Sequence, residues 1–546
     1  MEITAQTPIA YLSAEFGLEA KLPVYAGGLG ILAGDILKAA ADQKLHMAGV
    51  GLLYRGEEAR QVITSEGNQV EANIDFEAEN VGLTQVMDGT VPIYIKVHLT
   101  QVDVWIRVWE KKLNEYVTLY LLDPDNEKNH SHERRIANAL YSGTQEELIK
   151  QQLILGVGGV KLMRALGLQP ALYHINEGRP SFLHWQLVRE AMDYDAKVYQ
   201  DAVSESIAKT VYTNHTIVAA GNQGYDVDLM KAYAKYYSSK MGITADELLA
   251  KGVDETGGFN VTRYALNISR RASSVSMPHY NICVKQWPEY EWVNVTNGVH
   301  MPTWQASVFR DETMDNMRLW EAHCQEKRKT MEMIQSLTGF GYDSDKLVIC
   351  WARRIVSYKQ LNLLWHDIDQ LQEILLSTNR PVQLLVAGKA HVFDQGGKKI
   401  IRDLIGYLSN ELAGHALFIP NYDMDVGAAL TRGSDVWLNM PVHGQEASGT
   451  SGMKAISNGV LQLTMPDGWC GEVDWAGIGW PLATNPSETA WNLYQTLREK
   501  VIPLYYQRDE NDLPQYWIEM MRKSIGLSSQ YSAQRMVEQY REFLYK

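Results

Sequence analysis

Short apolar runs alternate with amphipathic stretches along most of the chain, the pattern of an α/β protein built on parallel sheets. In the first half, residues 9–13, 172–175 and 210–213 are continuous runs that read as buried strands. Each is followed by a polar or glycine-bearing segment and then by a helical pattern. Residues 346–351, 382–387, 416–419 and 436–439 repeat the arrangement in the second half. Between the halves, 314–337 predicts a charged helix and 339–345 a turn-rich hinge, so the pattern divides into units 1–340 and 341–528. Residues 529–546 predict a terminal amphipathic helix that packs back on the first unit. Met536, Tyr540, Phe543 and Leu544 share one face by the 3.6-residue repeat.

In doubly wound sheets the loops after the strand C-termini line the ligand crevice. The chemically unusual residues sit there: Glu15, then Asn176 and Glu177, then Asn214 and His215. Arg353, Arg354, Lys389, Tyr422 and the stretch 444–454 hold the matching places in the second half. Two such sets imply a cleft between two domains, and 546 residues are too many for a single core.

Charge narrows the partners. A formal net charge of −14 repels nucleic acid and anionic membranes, and an anionic ligand would need a local basic pocket. No run approaches the roughly 20 apolar residues of a membrane span. The longest candidate, near 153–160, is short and glycine-rich. Residues 1–10 lack a basic n-region and a long apolar run, so no signal peptide is expected. Cys283, Cys324, Cys350 and Cys470 are dispersed, which argues against a disulfide framework or a zinc ribbon. A cytoplasmic enzyme without a metal centre is expected; the sequence is compatible with a homo-oligomer and does not specify one. The 15 tryptophans and 29 tyrosines suit either core packing or a sugar cleft.

Three segments carry candidate chemistry. The loop 25–31 (YAGGLGI) precedes a helical pattern at 31–41, where glycines let the backbone approach an anion; a tight turn into a packed helix reads equally well. The segment 351–360 (WARRIVSYKQ) places Arg353, Arg354 and Lys359 after an apolar strand, and Lys389 follows another. Cations at strand ends suit phosphate, although a charge run is also the ordinary content of a solvated face. The segment 445–459 (QEASGTSGMKAISNG) puts Lys454 on the first turn of a helix behind a run of small residues whose amides could wrap a phosphate. That fits pyridoxal phosphate, with the amine on the aldehyde and the amides on the phosphate. A solvated lysine at a helix start is the plainer alternative.

Taken together, the chain resembles the glycogen and maltodextrin phosphorylase family nearly end to end. The carrying segments are 11–17 (YLSAEFG), 27–30 (GGLG), 174–178 (HINEG), 213–216 (TNHT), 296–300 (TNGVH), 352–354 with 358–359, 387–390 (AGKA), 421–423 (NYD), and 446–450 (EASGT) with 453–454. It looks like a short form without a long N-terminal regulatory extension. The resemblance implies a GT-B architecture, two doubly wound Rossmann-like domains across a deep cleft, the first binding glucan and the second pyridoxal phosphate. It also implies phosphorolysis of α-1,4-glucan by inorganic phosphate to α-glucose 1-phosphate, with retention.

Position by position, Lys454 matches the cofactor lysine. Gly449, Thr450 and Ser451 match the turn at the cofactor phosphate, Arg353 a basic cofactor contact, and Tyr422 and Trp304 residues near its ring. Arg354, Lys359 and the amides of Gly28, Leu29 and Gly30 match the substrate-phosphate site. His215, Asn297, Tyr358, Glu446 and Ser448 match glucosyl contacts. Two phosphates about 5 Å apart repel by on the order of 10 kcal/mol at an effective dielectric near 20, which accounts for Arg353, Arg354, Lys359 and Lys389 together. Arg179, Val356, Ala26, Ser451 and Gly452 depart from the usual pattern without removing a catalytic group; Arg179 stands where histidine is common. The competing reading is a nucleotide-sugar glucan synthase. Such enzymes carry a second glutamate where this chain has Lys454.

Overall fold

The structure, a computed structural model, describes residues 2–57, 59–141, 143–216 and 223–546. Two large sheets dominate it. The six-stranded sheet is parallel throughout, in the spatial order Ala416–Ile419, Val382–Ala387, Leu347–Ala352, Val436–Asn439, Leu461–Thr464, Gly479–Pro481. Counted along the chain that is 3-2-1-4-5-6, a doubly wound order. It reverses between Leu347–Ala352 and Val436–Asn439, the point at which a doubly wound sheet places a ligand beyond its strand ends.

The ten-stranded sheet follows the same logic. Its parallel part runs Trp292–Asn294, Arg271–Ser274, Thr210–Thr213, Leu172–Asn176, Ile9–Ser13, Met47–Leu52, Val117–Asp123. Here the order reverses between Ile9–Ser13 and Leu172–Asn176. An antiparallel edge of Val102–Lys112, Tyr94–Leu99 and Thr84–Gln85 completes it.

The continuous apolar runs are strands as expected, because a strand buried on both faces needs no alternation. Strands of other composition escaped the pattern. Met47–Leu52 (MAGVGL) carries two glycines where Leu37, Phe16, Leu119 and Leu121 press on the backbone. Arg271–Ser274 (RASS) is polar yet mostly buried. The glycine-rich run near 153–160 lies inside the helix Gln145–Ala165, where a Cβ on Gly156 would come within 2.5 Å of the Leu183 amide. No helix among the described residues is long and apolar enough to cross a membrane.

Ala533, Met536, Val537, Tyr540, Leu544 and Tyr545 join the core of the ten-stranded sheet. Phe543, expected on the same face, is 40% exposed. The last turn, Tyr540–Leu544, is π-helical, and its wider winding advances each residue by less than the 100° of an α-helix. That lag swings position 543 out and brings Leu544 in. The helix Asn316–Thr338 packs with the six-stranded sheet, through Leu319 and Ala322 on one flank and Met331 and Ile334 on another.

Beneath that helix lies a fully buried charge cluster. Asp435 accepts from His323 Nε2 at 2.7 Å, Lys327 Nζ at 2.6 Å and the Val348 amide at 2.7 Å. Lys327 also donates to the Lys346 carbonyl and to Tyr505 Oη. Burial alone would push the Asp435 carboxyl up, but Lys327 and His323 together hold it below its ordinary value. Its stabilising contribution is therefore present above about pH 4 and lost as pH falls through the depressed native value. Lys327→Met strands that carboxylate without its main counter-charge. A loss of about 3–5 kcal/mol is expected in denaturant unfolding near neutral pH, shrinking in acid.

Candidate functional site

The loop after the first strand is organised by Glu15. Its carboxylate accepts from the Ala26 and Gly27 amides at 2.7 and 3.1 Å and from Tyr141 Oη at 2.6 Å. This fixes the glycine loop at the start of the helix Gly28–Asp42. A Cβ at Gly27 or Gly28 would meet nothing within 4 Å, so one side of the loop is open. The first-turn amides of Gly28, Leu29 and Gly30 carry the positive end of a four-turn helix. Tyr25 Oη accepts from the Met424 amide at 3.3 Å, which brings this loop against the 421–424 segment of the other sheet.

At the reversal point of the six-stranded sheet, Arg353 is buried and turns back onto the strand ends. It donates to Asn439 Oδ1 and to the Leu438 carbonyl, while its Nε, also buried, has no acceptor among the described residues. Lys359 is paired with Glu446, both largely buried, and its ammonium lies 4.8 Å from the Tyr358 ring centre. The Glu446 turn is held from below by Asp467, which accepts from the Gln445 and Glu446 amides at 3.1 and 2.9 Å. Gly449 has φ +72°, and a Cβ there would lie 3.4 Å from the Glu446 carboxyl carbon. The Gly449 and Thr450 amides donate to no acceptor among the described residues. Arg354 is exposed. Lys389 Nζ donates to the Ala59 carbonyl at 3.2 Å, and burial pushes it down to about 8.

Lys454, in the short helix Ser451–Ile456, is 8% exposed. Its ammonium sits 3.4 Å from the ring centre of Trp304, and burial pushes it down to about 8. The indole N–H of Trp304 is shared between both oxygens of Asp35, at 3.0 and 2.8 Å. Ser451 Oγ accepts from Trp437 Nε1 at 3.2 Å. The Tyr422 hydroxyl packs against Gly427, where a Cβ would approach it to 2.9 Å.

Across from these, His215 Nε2 lies 2.7 Å from Asn176 Oδ1, and burial pushes the ring down to about 3. A neutral ring beside an acceptor-only oxygen must donate from Nε2, which leaves Nδ1 an acceptor. Glu177 holds the His215 loop by accepting the His215 amide at 2.6 Å and Thr216 Oγ1 at 2.9 Å. Asn297 Oδ1 and Ser448 Oγ are buried without a partner among the described residues. Ser276 Oγ donates to the Ala447 carbonyl at 2.6 Å, and so ties the 276 turn to the Glu446 segment.

Most of the residues singled out in the sequence thus fall on a continuous set of loop contacts. Arg354 and Lys389 lie outside the described hydrogen bonds among them. Asp35, Asn439, Asp467, Lys38 and His300 were not foreseen. A charged residue inside an apolar helical stretch, at Asp35, was the one available signal. Arg179, at a departure from the usual pattern, stacks its guanidinium 4.3 Å from the ring centre of Tyr141, whose hydroxyl donates to Glu15. Among the described residues no cluster of three or more His, Cys, Asp or Glu could hold a metal ion. The set offers instead a buried amine of lowered basicity, a turn with unpaired amides, and buried polar atoms without partners. That donor set fits an aldehyde-bearing aromatic phosphate.

The sequence profile of the carbohydrate phosphorylases matches residues 268–475. The glycogen phosphorylase of Mycobacterium tuberculosis is 33% identical over 99% of this chain and 71% of its own length. The maltodextrin phosphorylase of Thermococcus litoralis is 33% identical over 99% and 70%, and the glycogen phosphorylase of Aquifex aeolicus 32% over 99% and 86%. Identity at this level along nearly the whole chain, together with the family profile over the segment that carries Lys454, establishes that the chain belongs to the carbohydrate phosphorylase family.

Proposed function

We propose that the protein is an α-glucan phosphorylase, which cleaves the terminal glucosyl unit of an α-1,4-glucan with inorganic phosphate and releases α-glucose 1-phosphate with retention. The observation that carries this reading is the buried Lys454 amine on the Trp304 face, set behind an unpaired-amide turn and the Lys359–Glu446 pair. Pyridoxal phosphate is the proposed cofactor. Lys454 would hold its aldehyde carbon, Gly449, Thr450 and Ser451 with Arg353 its phosphate, and Tyr422 and Trp304 would border its ring. Bound there, it would supply a second ionisable phosphate as acid–base partner for the substrate phosphate.

The chain's own groups have separable tasks in this reading. Arg354, exposed, is free to take the incoming phosphate in a two-pronged grip, and the Gly28, Leu29 and Gly30 amides approach the same anion from the opposite sheet. Lys359 is shared between Glu446 and that phosphate, and Lys389 adds a second ammonium. Neutral His215 accepts a glucosyl hydroxyl at Nδ1. Asn297 and Ser448 have polar atoms to offer, and Tyr358 and Glu446 complete the sugar contacts. Cations gathered beside the breaking bond offset the repulsion between two phosphates, and the phosphate then stabilises the positive charge that develops on the sugar. A glycosidase would instead need two available carboxylates. Glu177 is engaged with the His215 loop and Glu446 with Lys359. The relatives do not favour a nucleotide-sugar synthase.

Two doubly wound units facing across a cleft, the GT-B arrangement, accommodate these loops. The core partners of the helix Asn316–Thr338 support a division between 295 and 306 rather than near 340. Four free cysteines agree with a reducing, cytoplasmic setting.

Incubated with maltodextrin and inorganic phosphate, the protein should release glucose 1-phosphate. Lys454→Ala should abolish both that release and the near-ultraviolet absorbance of bound cofactor; glucan breakdown that ignores phosphate would sink the proposal. Arg354→Ala should lower kcat/KM for phosphate about 100- to 1,000-fold, the scale on which a single charge-stabilising donor is felt. The ring resonances of His215 should not shift between about pH 5 and 8 in NMR, where an ordinary histidine titrates.

A further inference from the structure

One face of the helix Gly28–Asp42 presents Asp35, Lys38 and Asp42 at i, i+3 and i+7, and all three engage the segment 300–304. Asp42 Oδ2 lies 2.9 Å from His300 Nε2, and His300 Nδ1 lies 2.7 Å from Thr303 Oγ1. Lys38 Nζ donates to Thr303 Oγ1 at 3.2 Å. Asp35 is entirely buried and grips the Trp304 indole N–H with both oxygens. The other side of the segment is fixed too. Arg432 donates to the Thr303 and Trp304 carbonyls, and Asn458 donates to the Trp304 and Lys454 carbonyls. The same helix therefore opens at the glycine loop and, two turns further on, sets the ring against which Lys454 rests.

We propose that Asp35 is a positioning residue for the reaction: it locks the Trp304 indole in place and provides the buried negative charge that balances the Lys454 ammonium on the face of that ring. The inference rests on the reading of Lys454 as the cofactor-bearing lysine. Asp35 and Lys38, on the helix, are the charged side chains that act on the amine, the first holding it protonated and the second opposing it; His300 and Trp304 act on Asp35 in turn. A carboxylate buried this deeply is costly unless it is compensated, and here it has an indole donor and two nearby cations. Its loss would leave an ammonium on an aromatic face with the opposing charge of Lys38 unbalanced. The amine would then be neutral to a lower pH and its ring support loose.

The test uses the full-length chain, first as holoenzyme and then freed of cofactor. In the cofactor-free chain, reductive methylation of Lys454 is followed against pH by peptide mass spectrometry. Asp35→Asn should lower the midpoint by about one pH unit or more, since one unit corresponds to the differential interaction of a single nearby charge. Trp304→Phe, which keeps the ring face and deletes the N–H, should lower it by less. Both variants, titrated as cofactor-free chains, should bind pyridoxal phosphate about tenfold more weakly than the parent, the weight of about one lost charge contact. A midpoint and cofactor affinity unchanged in Asp35→Asn would overturn the proposal. Should that variant not fold, parental values in Trp304→Phe would do so. The labelling needs neither glucan nor phosphate. A parent protein without phosphorolytic activity but with the midpoint shift would refute the proposed function and leave only the charge balance between Asp35 and Lys454 standing; activity without the shift would overturn the role of Asp35 and leave the proposed function intact.

Discussion

An ammonium group withdrawn from water destabilises a protein by several kcal/mol unless something nearby replaces its hydration, and this constraint governs the centre of the molecule. At Lys454 the replacement is the π face of Trp304 with the Asp35 carboxylate at the edge of that ring. A cation over an aromatic face is worth about 2 kcal/mol when desolvated, too little alone, so the acidic residue on the indole N–H is part of the same arrangement. The surrounding elements serve that arrangement. The first helix supplies Asp35, the segment after the ten-stranded sheet supplies the indole, and the six-stranded sheet supplies the lysine. The three meet in a small apolar cluster containing Ile31, Val299, Met424, Met453 and Trp469.

The other cations of the site are compensated differently, and the differences fit their tasks. Arg353 is held by carbonyl dipoles at the strand ends, which orient the guanidinium, while the Glu446 carboxylate acts on it without a direct bond. Lys359 has a full counter-ion in Glu446, so it can be shared with an arriving anion. Lys389 has a backbone carbonyl from the 59–72 region and the charge of Asp423. That region also locks onto the six-stranded sheet through Gln61 and Gln69, which bond to the backbone of Gly388 and Ala390. A net charge of −14 overall and a cluster of basic groups within are thus reconciled locally, each by short-range geometry and not by the field of the whole molecule.

Four of the eight non-glycine residues with positive φ among the described residues, Tyr141, Glu177, Gln360 and Asn421, lie in these loops, and each such residue costs of order 1 kcal/mol. Each is next to a site element: Tyr141 on Glu15, Glu177 on the His215 loop, Gln360 beside Lys359, and Asn421 beside Tyr422. Dense side-chain to backbone hydrogen bonding keeps these conformations. Glu177 alone accepts from the loop it shapes at two points.

The amino-acid sequence by itself determined the strands of continuous apolar composition, the loops that follow them, and the identity of the anion-seeking residues. These are local properties: a run such as Val382–Ala387 can be stable only where both faces are covered, and Lys454 behind a run of small residues is a chemical statement wherever it lies. Tertiary structure decided what local pattern does not encode. Glycine-broken Met47–Leu52 became a central strand because Leu37, Phe16, Leu119 and Leu121 needed room beside it. Phe543 left its predicted face because a π turn changed the winding. Asp35, in a mostly apolar helix, acquired its role only when a residue 269 positions away and one more than four hundred away were brought to it. Long-range contacts of that kind depend on the order in which strands assemble, and no window along the chain contains it.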